Sequence, residues 1–118
     1  KRMISDLINA WQKKSVQGSL SFFDDEFKKS ESMYQVDAEQ LYDLTNVLLN
    51  RQHIKESLLI AQKNCEYYPK SDLAYEALGK SLFWNGHVSE ATHAYEKAKS
   101  LNSENRWANL VLNQLKSE

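Results

Sequence analysis

The sequence predicts an all-α protein built of paired helices, and three observations carry that prediction. Apolar residues recur at i, i+3 and i+4 along most of the chain, while period-two alternation is almost absent. Only one proline and three glycines, Gly18, Gly79 and Gly86, interrupt 118 residues, which leaves room for long helices. The stretch YEALGKSLFWNGHVSEATHAYEKAKSLNS, Tyr75 to Ser103, sets small Gly79 and Ala91 where two helix backbones approach. Large Tyr75 and Tyr95 fill the space on either side.

Residues 2–17 place Met3, Ile4, Leu7, Ile8 and Trp11 on one helical face, with Lys13 and Lys14 on the wet side. Gly18 and Ser19 are expected to end this helix. A second, shorter helix is expected over 21–29, with Phe22, Phe23 and Phe27 on one face. Asp24, Asp25 and Glu26 would lie in its first turns and Lys28 and Lys29 in its last, as the helix dipole favours. Residues 30–36 read as a connector. Asp37, with Gln40 three residues on, forms a capping-box-like start for a helix over 38–50, and its partner is expected over 54–67. Ser71 or Asp72 caps the next helix, which Gly86 ends at about Asn85. A partner follows over 89–100. Ser103 is expected to cap a last helix, 104–116, with a stripe of Trp107, Leu110, Val111 and Leu115.

Tyr75, Leu78-Gly79, Leu82, Ala91, Tyr95 and Ala98 resemble the signature of the tetratricopeptide (TPR) family, with Ser103 in place of the closing proline. Shifted back by the family's 34-residue period, the signature falls on Leu41, Leu44, Thr45 and Leu48, then on Ser57, Ala61, Asn64 and Pro69. Ala61 and Asn64 depart from the large and small residues expected there. The resemblance implies a TPR-type antiparallel helix-pair solenoid of about seven helices. It divides the chain into an N-terminal helical pair and connector (1–36), a degenerate repeat (37–70), a well-matched repeat (71–104) and a C-terminal capping helix (105–118). Residues 1–36 would then be open to two readings, a degenerate repeat or the tail of a preceding domain. The capping helix would cover the apolar face that stacked repeats expose.

The layout also resembles the C-terminal TPR appendage of certain bacterial serine hydrolases, among them esterases of the α/β-hydrolase class. Tyr68-Pro69, Ser71, Tyr75, Leu78-Gly79, Gly86, Ala91, Tyr95, Ala98, Leu101 and Asn105 follow that tail over residues 20–115, although most of these are general TPR positions. The resemblance implies a non-catalytic fragment, with nucleophile and base in a preceding domain, and a periplasmic or cytoplasmic bacterial setting. The chain opens at Lys1 rather than at a methionine and is expected to be a piece of a longer protein.

Composition narrows the partners. The formal net charge is −1, and neither residues 1–36, with six basic and five acidic side chains, nor the remainder, with nine and eleven, makes a basic patch. Nucleic acid and anionic membrane are therefore poor partners. No apolar run reaches the roughly 18–20 residues of a membrane span, and MISDLINAW is amphipathic rather than signal-like. Single Cys65 excludes an internal disulfide.

No catalytic constellation emerges. His53, His87 and His93 lack i+4 partners or cysteines at metal-ligand spacing and read as surface residues, the first two in turns. Cys65, late in a helix beside Glu66, reads as a packed thiol rather than a nucleophile. There is no G-x-S-x-G elbow, S-x-x-K set or glycine-rich phosphate loop. Asp24-Asp25-Glu26 lacks the alternating ligands and glycine turn of a calcium loop. No cofactor or metal is expected.

Binding is expected instead on the concave face, which in TPR arrays is lined by the first helix of each repeat. The resemblance places Glu39, Tyr42, Asn46, Leu49 and Asn50 there, then Leu73, Glu76, Lys80, Phe83 and Trp84. Phe83 and Trp84 would be the anchors if the face is open, and core residues if an end helix folds over them. TPR clamps for a C-terminal Glu-Glu-Val-Asp tail use a lysine and asparagines. Asn46 matches one position, but Tyr42 stands at the lysine and Ala77 at the second asparagine, and Glu76 and Lys80 satisfy each other at i, i+4. Two functions stay open: an appendage that docks to a neighbouring domain or self-associates, and an autonomous adaptor that holds a peptide of another protein.

Overall fold

The computed structural model describes residues 1–116. All secondary structure in it is helical: α1 (Ile4–Lys28), α2 (Ala38–Asn50), α3 (Ile54–Tyr67), α4 (Asp72–Trp84), α5 (Val88–Leu101) and α6 (Arg106–Lys116). Successive helices pack on one another, α2 also touches α4, and α1 lies across α2 and α3.

The six helical spans stand against an expected seven because α1 holds two helical arms that meet at a sharp break. Lys14 and Ser15 leave helical geometry, with Ser15 at φ 60°, ψ −161°. A straight helix would hold residues 7 and 19 about 18 Å apart. Here the Ser19 hydroxyl donates to the Leu7 carbonyl at 2.7 Å. The two arms, 4–13 and 16–28, are therefore folded against each other. Gly18 and Ser19 do not end the first helix. They lie in the second arm and allow the arms to touch, since a Cβ on Gly18 would sit 2.6 Å from the Ala10 carbonyl oxygen. The early start of this arm also moves Asp24 and Glu26 away from a helix N-terminus. Side-chain partners hold them instead. Asp24 pairs with Lys28 at 2.7 Å and accepts from the Tyr67 hydroxyl at 2.6 Å. Glu26 pairs with Lys29 at 2.6 Å and accepts from Ser32.

Local signals set the next four helices. Asp37 accepts from the Glu39 amide and Ser71 from the Ala74 amide, each an N-cap. Gln40 completes the start of α2 differently from a capping box: its Nε2 binds the Asp37 carboxylate, while its Oε1 accepts from the Met3 amide. The last helix begins later than expected. Asn105, not Ser103, is its cap, accepting from the Ala108 amide at 2.9 Å.

The bounds of α4 and α5 are those of α2 and α3 moved by 34 residues. The turns repeat as well. His53 donates its amide to the Leu48 carbonyl and His87 to that of Leu82, at 2.8 and 2.9 Å. Gln52 and Gly86 both adopt positive φ, 69° and 85°. That conformation costs a side-chain-bearing residue about 1–2 kcal/mol and glycine little. Replacing exposed Gln52 with glycine is accordingly expected to stabilise the fold by about 0.5–1 kcal/mol, measured by urea denaturation. A loss of stability would mean that the Gln52 side chain has a role of its own.

Two apolar clusters run through the molecule. Met3, Leu7, Val16 and Phe23 of the N-terminal segment pack with Leu41, Leu44, Leu48 and Ile60, which builds residues 1–28 into this unit. Leu82, Ala91, Ala94, Tyr95, Ala98, Ala108 and Leu112 form the second cluster. Where α4 offers Tyr75, Gly79 and Leu82 to α5, α6 carries Asn109, Asn113 and Lys116 thirty-four residues later. That side of α6 is thus polar.

Candidate functional site

The inner faces of α2, α4 and α6 lie side by side, and their residues meet in a polar half and an apolar half. In the polar half, the Tyr42 hydroxyl donates to the Glu76 carboxylate. Lys80 Nζ lies 2.9 Å from Glu76 Oε2 and donates to the Tyr42 oxygen at 3.0 Å. The ammonium also sits 4.9 Å from the ring centres of both Tyr42 and Trp107, a cation–π arrangement. The Trp107 indole N–H reaches the Tyr95 hydroxyl at 3.3 Å. This network ties four helices together.

Its electrostatics are those of a staple. Burial, and then the hydrogen bond to Glu76, raise the Tyr42 phenol above its usual range, so it stays neutral. Burial opposes the Lys80 charge, yet its bonds to Tyr42 and Glu76 outweigh that cost and raise its pKa. With the phenol neutral and the ammonium charged, neither serves as a base at neutral pH.

The apolar half is a groove of about 380 Å³ between α4 and α6. Phe83, Trp84, Tyr95, Trp107, Val111 and Leu115 line it, with Lys80 and Gln114. Phe83 is 41% and Trp84 62% exposed, so no end helix buries them. Trp84 also walls a smaller cleft of about 210 Å³, shared with Leu49, Asn50, Gln52 and Ile54. Of the ten groove residues named from sequence, Tyr42, Glu76 and Lys80 thus meet in the network, while Leu49, Asn50, Phe83 and Trp84 line the two clefts. Asn46 and Leu73 stay half-buried outside both clefts. Glu39, nearer the N-terminus, pairs with Arg2 at 3.1 Å.

Tyr95, Trp107, Val111 and Leu115 were missed as groove residues. The sequence places Trp107, Val111 and Leu115 on a covering stripe. In the structure α6 covers the second core with Ala108 and Leu112, against which half-buried Val111 also packs, while Trp107, Val111 and Leu115 line the groove and Leu110 stays exposed. The 34-residue offset finds Trp107, which it sets on Leu73, and Gln114, which it sets on Lys80, but not Tyr95, Val111 or Leu115, which fall on Ala61, Ala77 and Ser81.

The reactive side chains lie elsewhere. His53 and His87 precede α3 and α5 and pair with Glu56 at 3.0 Å and Glu90 at 3.8 Å. The Cys65 thiol donates to the Ala74 carbonyl at 3.3 Å. Burial, followed by the charge of Glu66, pushes it up to about 12, so it remains a thiol at neutral pH. Among the described residues, no group of three or more His, Cys, Asp or Glu side chains is placed to hold a metal ion, and no helix is long and apolar enough to cross a membrane.

The chain matches no known family model and no curated protein. Its own residues carry the functional argument.

Proposed function

We propose that this chain is a non-catalytic, TPR-type helical-repeat module that binds protein through the groove between α4 and α6. The observation that carries the reading is an exposed aromatic pair, Phe83 and Trp84, facing Trp107 across an apolar groove whose buried polar groups are already paired. A surface of that kind gains by excluding water from aromatic rings and has no unsatisfied charge to offer a small polar substrate. The 34-residue recurrence of helix bounds and turns supports the repeat assignment, and the polar outer side of α6 supports its role as the end of the stack. The resemblance to hydrolase appendages supplies the setting. In that setting the occupant is a neighbouring domain of the same polypeptide, and in the adaptor reading it is a peptide of a separate protein.

Selection of groove-binding peptides from a displayed library, followed by titration against variants, tests the reading. Phe83→Ala and Trp84→Ala are each expected to weaken the selected peptides by about 1–3 kcal/mol, with thermal unfolding close to that of the parent because both side chains are exposed. Peptides that bind both variants unchanged would remove the groove from consideration. Unfolding of either variant would show that these rings belong to the core.

A further inference from the structure

We infer that the break in α1 is a hinge through which two copies of this chain exchange residues 1–13 to form a swapped dimer. Neither residue at the break explains it. Lys14 is a good helix former and Ser15 a neutral one, with no proline or glycine at either position. Tertiary packing therefore imposes the break, and Ser15 is held at φ 60°, ψ −161°, a region that only glycine occupies readily. The hinge is short and strained, the condition that favours exchange of an element between copies.

The contacts between the arms fit such an exchange. Ser19 touches Leu7 and Gly18 touches Ala10, and both pairs are centred on residues 13–14, at the break itself. Two copies with residues 4–28 running as continuous helices of about 37 Å, side by side and antiparallel, would bring the same pairs together between chains. The close approach at Ala10 and Gly18 would lie beside the two-fold axis. The arm's docking would carry over in the same way: Leu7 in the first core, and the Trp11 indole N–H on Glu56 Oε2 at 2.9 Å. Contacts within and between chains are then alike, and the hinge decides the balance. Straightening relieves Ser15 and gains helical hydrogen bonds across residues 14–15. It gives up the Ser15 hydroxyl's bond to Glu56 at 3.0 Å and the freedom of separate chains. Lys13 and Lys14 of both copies would meet near the axis, a repulsion that salt screens.

The test is light scattering on the 118-residue chain refolded from denaturant across a range of concentrations, with Ser15→Gly and Ser15→Ala beside the parent. Ser15→Gly relaxes the folded-back hinge. It is expected to weaken the dimer by about tenfold or more, whereas Ser15→Ala favours the continuous helix and is expected to strengthen it by a similar factor. An isolated swapped dimer should persist after dilution, because each arm must be released before the chains part. Absence of a dimer from both the parent and Ser15→Ala at the highest concentration would overturn the inference. So would a dimer that Ser15→Gly leaves unchanged, or one that dissociates at once on dilution and is lost in Trp84→Ala, since that dimer would use the groove. The hinge inference stands or falls independently of what the groove binds.

Discussion

Lys80→Met is expected to cost about 3 kcal/mol of folding stability. Glu76 is 5% exposed and its carboxylate has two partners, the Lys80 ammonium and the Tyr42 hydroxyl. Removing the ammonium leaves a buried carboxylate without its counter-charge, which costs far more than the pair contributes while intact. The double variant Glu76→Leu with Lys80→Met removes both charges and should recover to within about 1 kcal/mol of the parent. Chemical denaturation of the four proteins measures the cycle. Full additivity, with the double variant as unstable as the summed singles, would mean that Lys80 and Glu76 are not energetically paired.

Alkaline pH probes the same network. Tyr42 and Lys80 have folded-state pKa values raised above 10.0 and 10.5. Their contribution is therefore complete below those values and is lost as pH rises through the higher folded-state values. Stability of the parent should fall above about pH 10, and the fall should be shallower in Lys80→Met, where one of the two groups is gone. This also bears on function. A lysine that stabilises the fold is a poor candidate for a ligand-recognising cation, so the proposed binding rests on the aromatic half of the face.

The parts of this fold that were legible in the sequence are those set by local chemistry. Asp37, Ser71 and Gly86 act within a turn of their own position, so α2 to α5 lie within a residue or two of their expected bounds. The break in α1 was not legible because contact between the arms creates it. Gly18 and Ser19 resemble a terminator in sequence for the same reason: small residues that end helices are also those that let helices touch. Asn105 displaced Ser103 as a cap because its side chain also binds Asp72 at 2.8 Å, anchoring the start of α6 on α4. The i, i+4 pairing of Glu76 and Lys80 was visible in the spacing. Tyr42 and Trp107 joined it only once three helices were placed, since they lie 38 residues before and 27 after Lys80.

Gly79→Ala is expected to lower stability by about 2 kcal/mol, although alanine is the better helix former by about 1 kcal/mol. A Cβ at residue 79 would stand 2.7, 2.8 and 2.9 Å from three ring atoms of Tyr95. Tyr95 is 2% exposed, so its ring has little room to yield, and the steric cost outweighs the gain in propensity. Any shift of that ring also moves the hydroxyl that accepts from Trp107, so the groove should register the substitution as weaker peptide binding. The molecule contains its own control. Thirty-four residues earlier, the positions of Gly79 and Tyr95 are held by Thr45 and Ala61, both fully buried: the larger residue has moved to the first helix and the smaller to the second. Gly79→Thr and Tyr95→Ala should therefore each destabilise alone, the second by about 3–5 kcal/mol. Together they should cost about 1–3 kcal/mol less than their sum. Thermal and urea denaturation of the parent, the singles and the pair measure that coupling. A sum with no coupling would show that the two helix pairs solve their crossing by different means, and that the 34-residue correspondence stops at the backbone.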